Sequence, residues 1–174
     1  PDEETLNRQR KRKFLNAPLI SVVVPAYHTP PLFLRQMLDS LVAQTYGGWE
    51  LCIANGSPDD KEMEAVLEEY EKRDSRIRHE NLKENLGIAE NTNAAFRMAK
   101  GEFIGLLDHD DLLAPNALYE IALALEKNPE ADVVYTDEDK VTTDLKEHFQ
   151  PHLKPDFNLD LLRSNNYICH FFTV

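Results

Sequence analysis

Two cysteines, Cys52 and Cys169, are all that the chain's 174 residues contain. Neither belongs to a paired metal-ligand spacing or to a disulfide framework, so a reducing cytoplasm is the expected location. Long apolar runs are missing too. None approaches the roughly 18 residues of a membrane span, and the N-terminus lacks the apolar stretch of a secretory signal. Glycine-rich phosphate loops are absent: no G-x-G-x-x-G follows the first apolar run and no G-x-x-x-x-G-K-[ST] occurs anywhere, which disfavours a dinucleotide or P-loop site. Positive charge is scarce, with 19 Lys and Arg against 31 Asp and Glu for a net charge of -12. Such an acidic surface repels a phosphate backbone, and no nucleic acid is expected as a partner. What remains, at 42% hydrophobic and 29% charged residues, is too apolar for general disorder and long enough for one globular domain.

The few bases are unevenly placed. Five of the six residues from Arg8 to Lys13 are basic, leaving 14 bases against 28 acids from Phe14 onward. The sequence therefore divides into a basic leader or linker over 1–17 and a main domain over 18–174. With Phe14 and Leu15 behind it, the basic stretch suits peripheral contact with anionic headgroups at the inner face of the plasma membrane, at about 1 kcal/mol per base. The plainer alternative is a solvated linker from a preceding segment.

Beyond Pro18, short apolar runs alternate with longer stretches of helical period, which predicts an α/β fold built of βαβ units on a mostly parallel sheet. Strands are expected at Ile20 to Val24, closed by Pro25, at Trp49 to Ala54, near Ile77, at Phe103 to Leu107 and at Val133 to Thr136. Helical faces are read from Leu34, Leu38, Leu41, Val42 and Thr45, from Met63, Val66, Leu67 and Tyr70, from Ile88, Thr92, Ala95, Phe96 and Ala99, and from Leu118, Ile121, Ala122 and Leu125. From Lys140 onward the pattern weakens, predicting irregular structure, a short helix near Leu159 to Arg163 and a final extended segment.

Open parallel sheets bind ligands at the carboxyl ends of their strands, and here those ends are polar: Ala26-Tyr27-His28, Asn55-Gly56-Ser57, Asp108-His109-Asp110-Asp111 and Thr136-Asp137-Glu138-Asp139. In the third cluster, Asp108 and Asp110 on extended backbone project to one side and can address one divalent ion. Three carboxylates within four residues repel one another. A hard cation, Mn²⁺ or Mg²⁺, bridged to a diphosphate removes that cost. Without a phosphate-cradling loop, a nucleotide diphosphate would depend on such an ion. The alternative is that Asp111 only prepares the next helix while the other acids are solvated.

Ile20-Ser21-Val22-Val23-Val24-Pro25-Ala26-Tyr27, Asn55-Gly56-Ser57, Asn85-Leu86-Gly87-Ile88 with Asn93, and Gly101-Glu102-Phe103-Ile104 running to Asp110-Asp111 resemble, in this order and spacing, the donor-binding half of a family 2 glycosyltransferase. The resemblance extends from Pro18 to the C-terminus. It implies the GT-A nucleotide-diphospho-sugar transferase fold, a Rossmann-like, mostly parallel sheet flanked by helices. Tyr135 to Lys140, and Lys154-Pro155-Asp156 through Asn166-Tyr167-Ile168-Cys169-His170, further resemble a subgroup that builds bacterial surface polysaccharides such as O-antigen and includes rhamnosyltransferases.

The resemblance implies a role for each matching residue. Pro25, Ala26 and Tyr27 fall on the loop that holds base and ribose. Asn55 stands where the family usually has an Asp that reads a pyrimidine, and its amide both donates and accepts. Asn85, Gly87 and Asn93 match a loop and helix start beside the nucleotide, the alternative being that they serve as caps and turn residues. Asp108 matches the first acid of the DXD motif, near ribose or donor sugar, Asp110 the acid that binds the metal, and His109 the variable position between them. The donor is expected to be a UDP- or dTDP-linked sugar and the acceptor a glycan or lipid-linked glycan. In an inverting transfer a carboxylate takes the acceptor proton. That base is expected beyond Val174, with Asp137 and Glu138 as candidates within the chain, and His170 is a candidate for contacting phosphate or metal. A non-catalytic binding module and a sugar-phosphate nucleotidyltransferase are the alternatives; the latter needs a basic, glycine-rich loop that Ala26-Tyr27-His28-Thr29-Pro30 does not supply.

Overall fold

The computed structural model describes residues 1–174. Strands β1 (Ile20–Ala26) and β2 (Trp49–Asn55) are the apolar runs that the sequence marks, and nearly every residue of both is buried. With β3 (Ile77–Asn81) and β4 (Phe103–Leu106) they pair in parallel. Helices α2 (Pro31–Val42), α3 (Lys61–Arg73), α4 (Ile88–Met98) and α5 (Ala117–Lys127) flank them. The sheet continues through β8 (Phe172–Thr173) and β5 (Val134–Tyr135), giving the order β3-β2-β1-β4-β8-β5 with β8 antiparallel to both neighbours.

Strand β1 runs two residues past the predicted stop, through Pro25. The register explains why. Ile20 and Ala26 bond toward β2, through Gly48 and Gly56, whereas Val23 accepts from Leu107 on the β4 side. Pro25 shares the phase of Val23, and β4 pairs only as far as Val23. The N–H that proline lacks would point past the end of β4, so no ladder bond is lost.

The main core lies on one face, where Leu34, Leu38, Leu67, Leu118 and Ile121 pack on Val22, Val24, Leu51 and Ile53. On the other face α4 lies against Val23, Cys52 and Ala54 through Ala94 and Ala95. The phase of α4 therefore differs from the apolar spacing in the sequence. Its buried residues are Asn91, Ala94 and Ala95, while Ile88 and Phe96 are 73% and 54% exposed. Small side chains let this helix approach the sheet, and that close fit outweighs the larger residues' preference for burial.

Where α4 ends, a buried polar network ties it to the sheet. Glu50 Oε1 accepts from Ser21 Oγ and from the Lys100 amide, both at 2.6 Å, and Glu50 Oε2 pairs with an Arg78 guanidinium nitrogen at 2.6 Å. The same guanidinium nitrogen donates to the Met98 carbonyl at 2.8 Å, and the Gly101 amide donates to Ser21 Oγ.

The basic leader is ordered. Helix α1 (Glu3–Lys11) is capped by Asp2, which accepts from the Thr5 amide, and buries Leu6 and Gln9. Gln9 bonds Glu120 and Thr45, Arg12 pairs with Glu126 at 2.7 Å, and Phe14 meets Tyr46 and Tyr119 edge-on. Polar contacts from Gln9 and one aromatic anchor hold it, which a reading of its charge alone does not reveal. The region expected to be irregular contains a two-stranded ribbon, β6 (Glu138–Val141) and β7 (His148–His152), followed by α6 (Leu159–Ser164). Strand β7 is exposed throughout and contains Pro151, so it carries no alternating pattern. No helix is long and apolar enough to cross a membrane.

Candidate active site

Strand order reverses between β1, which leads to β2 and β3, and β4, which leads the other way; a crevice opens at the carboxyl ends of such a pair. A cleft of about 220 Å³ lies there. Pro25 and Tyr27 wall it from β1, Asn85, Gly87, Ile88 and Asn91 from the loop and start of α4, and Asp108, His109 and Asp110 from the turn after β4. That turn closes with the Asp111 amide donating to the Asp108 carbonyl. A larger hollow of about 420 Å³ sits elsewhere, bordered by Leu15, Pro18, Phe103 and Glu126. Its edge is the amino end of β4, and it gathers no cluster of metal-ligating groups.

Pro25, Tyr27, Asn85, Asp108, His109 and Asp110 thus meet in one cleft. Three of the proposed nucleotide-binding residues do not line it. Ala26 is fully buried. Asn55 is also fully buried, and its amide is already committed: Oδ1 accepts from the Ser57 amide and Nδ2 donates to Asn81 Oδ1, both at 2.9 Å. Asn93 is exposed on α4, away from the cleft lining. Asn91 occupies the place expected of Asn93. Its Nδ2 donates to Asn85 Oδ1 at 2.9 Å, and Asn85 Oδ1 also takes the Gly87 amide at 3.0 Å. Gly87 has φ +86, a left-handed conformation that favours glycine. The two asparagines are two residues apart, so only the true phase of α4 tells them apart.

A second grouping joins the cleft at Asp108. His170, brought in beside β8, places Nε2 3.4 Å from Asp108 Oδ2 and 4.0 Å from Asp111 Oδ2. One ligand atom from each of these three residues falls within 4.8 Å of the others. Two carboxylate oxygens and an imidazole nitrogen are a donor set that fits a divalent ion. Asp110 stands outside the trio, with Oδ1 3.8 Å from His109 Nδ1. That nitrogen is buried and has no hydrogen-bond partner, an unmet polar atom at the cleft wall.

Asp137 and Glu138 have other attachments. Asp137 Oδ1 accepts from the Lys154 amide at 2.7 Å. Glu138 Oε1 meets His152 Nδ1 at 2.9 Å, and its Oε2 takes the His170 amide at 3.1 Å. Burial alone would raise the Glu138 carboxyl, but His152, Lys154 and the His170 amide together hold it below its usual range.

Asp111 behaves in the opposite way. Burial, and then the charges of Asp108, Asp110 and Glu138, push its carboxyl above the ordinary 3.8, against the pull of His170. The folded chain keeps this proton at pH values where the unfolded chain has released it. The contribution to stability therefore turns unfavourable as pH rises from the unfolded value through the raised one. In the presence of a chelator, Asp111→Asn is expected to melt above the parent at neutral pH, and the difference to vanish below about pH 4. Added Mn²⁺ should reverse the order, because only the parent offers an anionic third ligand. A parent that melts above the variant in chelator at neutral pH would contradict this account of the charge.

A mostly parallel sheet flanked by helices, its strand order reversing beside the first strand, is the architecture of the GT-A fold. The chain belongs to glycosyl transferase family 2, whose sequence model matches residues 21–173. It is 43% identical over 159 residues to the uncharacterized protein y4gI of Sinorhizobium fredii and 36% identical over 175 residues to the O-antigen biosynthesis protein RfbC of Myxococcus xanthus. These alignments take in 91% and 100% of this chain but only 17% and 14% of the relatives' own lengths. Among solved structures, the mannosyltransferase PcManGT of Pyrobaculum calidifontis, in complex with GDP-Man and Mn²⁺, superposes with a TM-score of 0.58 at 21% identity, over 76% of this chain and 41% of that one.

Proposed function

We propose that the chain is the donor-binding part of a metal-dependent, inverting glycosyltransferase of bacterial cell-surface polysaccharide synthesis, moving a sugar from a nucleotide diphosphate to a glycan or lipid-linked acceptor. The observation that carries this reading is the convergence of Asp108, Asp111 and His170 at the edge of a cleft already walled by Pro25, Tyr27 and Asn85. The relationship to RfbC supports the polysaccharide context.

Tyr27, 46% exposed, offers an aromatic face to a flat base, and Pro25 stiffens the wall beneath it. Because the Asn55 amide is committed, base recognition falls to backbone groups of the loop and to Tyr27, with a uridine or thymidine diphosphate the expected carrier. Asn85 and Asn91 brace the loop that closes the far side. Asp108, Asp111 and His170 would hold the divalent cation, with Asp110 adding a carboxylate from the same turn; when bound, the ion supplies the positive charge that offsets a departing diphosphate. Asp108, which lines the cleft, would also orient ribose or donor sugar. The acceptor hydroxyl attacks the anomeric carbon from the side opposite the diphosphate and gives its proton to a carboxylate base. Asp137 and Glu138 are already engaged, so we assign that base to neither. Arg8, Lys11 and Lys13, which make no ion pair, are the leader's bases most available to an anionic membrane surface, in keeping with a cytoplasmic protein resting on the inner face.

Calorimetric titration with UDP, dTDP and GDP, each with and without Mn²⁺, tests the reading. Either pyrimidine diphosphate is expected to bind about tenfold or more tightly with the ion. Equal affinities with and without Mn²⁺ for all three would remove the metal from the proposal.

A further inference from the structure

Lys154 is an unusual residue for its surroundings. Its side chain is only 1% exposed although the ribbon β6–β7 that delivers it is largely exposed. A buried ammonium is costly unless paired, and the pairing here is specific. Lys154 Nζ lies 3.4 Å from Glu138 Oε2 and donates to the backbone carbonyl of His170. Glu138 Oε2 in turn accepts from the His170 backbone amide at 3.1 Å. One ion pair therefore holds both backbone polar groups of the residue whose imidazole faces Asp108 and Asp111. The next residue is secured as well: the Phe171 amide donates to Thr136 Oγ1, and its ring is buried over Gly105, where an added Cβ would stand 2.3 Å from the ring. The ribbon shares no backbone ladder with the main sheet.

We infer that Glu138 and Lys154 form a clamp that positions His170 toward the divalent cation, an assignment that rests on the reading of the cleft given above. The pair acts through the His170 backbone, to which both members bond. It sets the height and direction of His170, and the ribbon exists in part to supply both members, one where β6 opens and one just past β7. This gives Glu138 work other than proton abstraction, and it accounts for a lysine buried at the edge of the fold. Groups that orient a metal ligand typically change affinity by about 10- to 100-fold when removed.

The test uses Mn²⁺ alone as the probe, with affinity read by calorimetry and by the electron paramagnetic resonance of free ion, on the parent, His170→Ala, Lys154→Met, Glu138→Gln and each clamp variant combined with His170→Ala. Lys154→Met and Glu138→Gln are each expected to weaken Mn²⁺ binding about tenfold or more, and to add nothing once His170 is alanine, because they act through it. A clamp variant that binds Mn²⁺ within about twofold of the parent, while His170→Ala loses about tenfold, overturns the inference, as do losses that add in the doubles. If Lys154→Met fails to fold, the pair Glu138→Gln with Lys154→Met, which leaves no lone buried charge, carries the same comparison. A parent that binds no Mn²⁺ fails the reading of the cleft itself, and the clamp falls with it; that outcome is distinct from one in which only the clamp variants behave like the parent.

Discussion

Asp108→Asn is expected to lose Mn²⁺-dependent affinity for a nucleoside diphosphate by about a hundredfold while the fold persists. Asp108 is the one carboxylate that both lines the cleft and belongs to the trio with Asp111 and His170. Its side chain is 44% exposed, so losing the charge should change stability little. Asp110→Ala is the informative companion. Motif position assigns the metal to Asp110, whereas distance places Asp108, Asp111 and His170 closer together. A larger loss at Asp108 than at Asp110 follows the geometry. If Asp108→Asn keeps Mn²⁺-dependent affinity within about threefold of the parent, the trio is not the seat of the ion.

Glu50→Ala is expected to have the largest effect on stability, about 3–5 kcal/mol, because it strands the Arg78 guanidinium and the Lys100 amide that now share its oxygens. Glu50 is 8% exposed, so water cannot readily replace the lost partner. Burial alone would raise its carboxyl, but the Ser21 hydroxyl, the Lys100 amide and Arg78 outweigh it and hold it below the ordinary 4.5. A depressed carboxyl stabilises the fold above its unfolded value and loses that contribution as pH falls through the folded one. Urea denaturation should therefore show Glu50→Gln well below the parent at neutral pH and converging with it in acid. A loss under about 1 kcal/mol for Glu50→Ala would mean that the network is incidental. The cleft is at the other end of the strands, so any variant that remains folded should keep its nucleotide affinity.

Much of the site's framework is legible without coordinates. The apolar runs of β1, β2 and β4, separated by helical periods, dictate parallel crossovers, and a parallel strand must present its following residues at one edge of the sheet. Asp108 and Tyr27 had to be neighbours of a crevice once Phe103 to Leu107 and Ile20 to Val24 were strands. The phase of α4 was not legible, because Ile88, Thr92 and Phe96 make a better apolar stripe than Asn91, Ala94 and Ala95. Backbone proximity to the sheet decided in favour of the small residues, and with them Asn91 replaced Asn93 at the cleft.

By itself the sequence determined the fold class, the polar strand ends and the family, since local periodicity and the residue following a buried strand are properties of the chain's order. Only the tertiary structure decided that His170 joins Asp108 and Asp111, that Asn55 spends its amide internally, that the leader docks through Gln9 and Phe14, and that Lys154 is buried. Each of these depends on where β8 inserts between β4 and β5 and on how closely side chains far apart in the chain can approach. Those distances are set by packing across the whole sheet, and no local pattern encodes them.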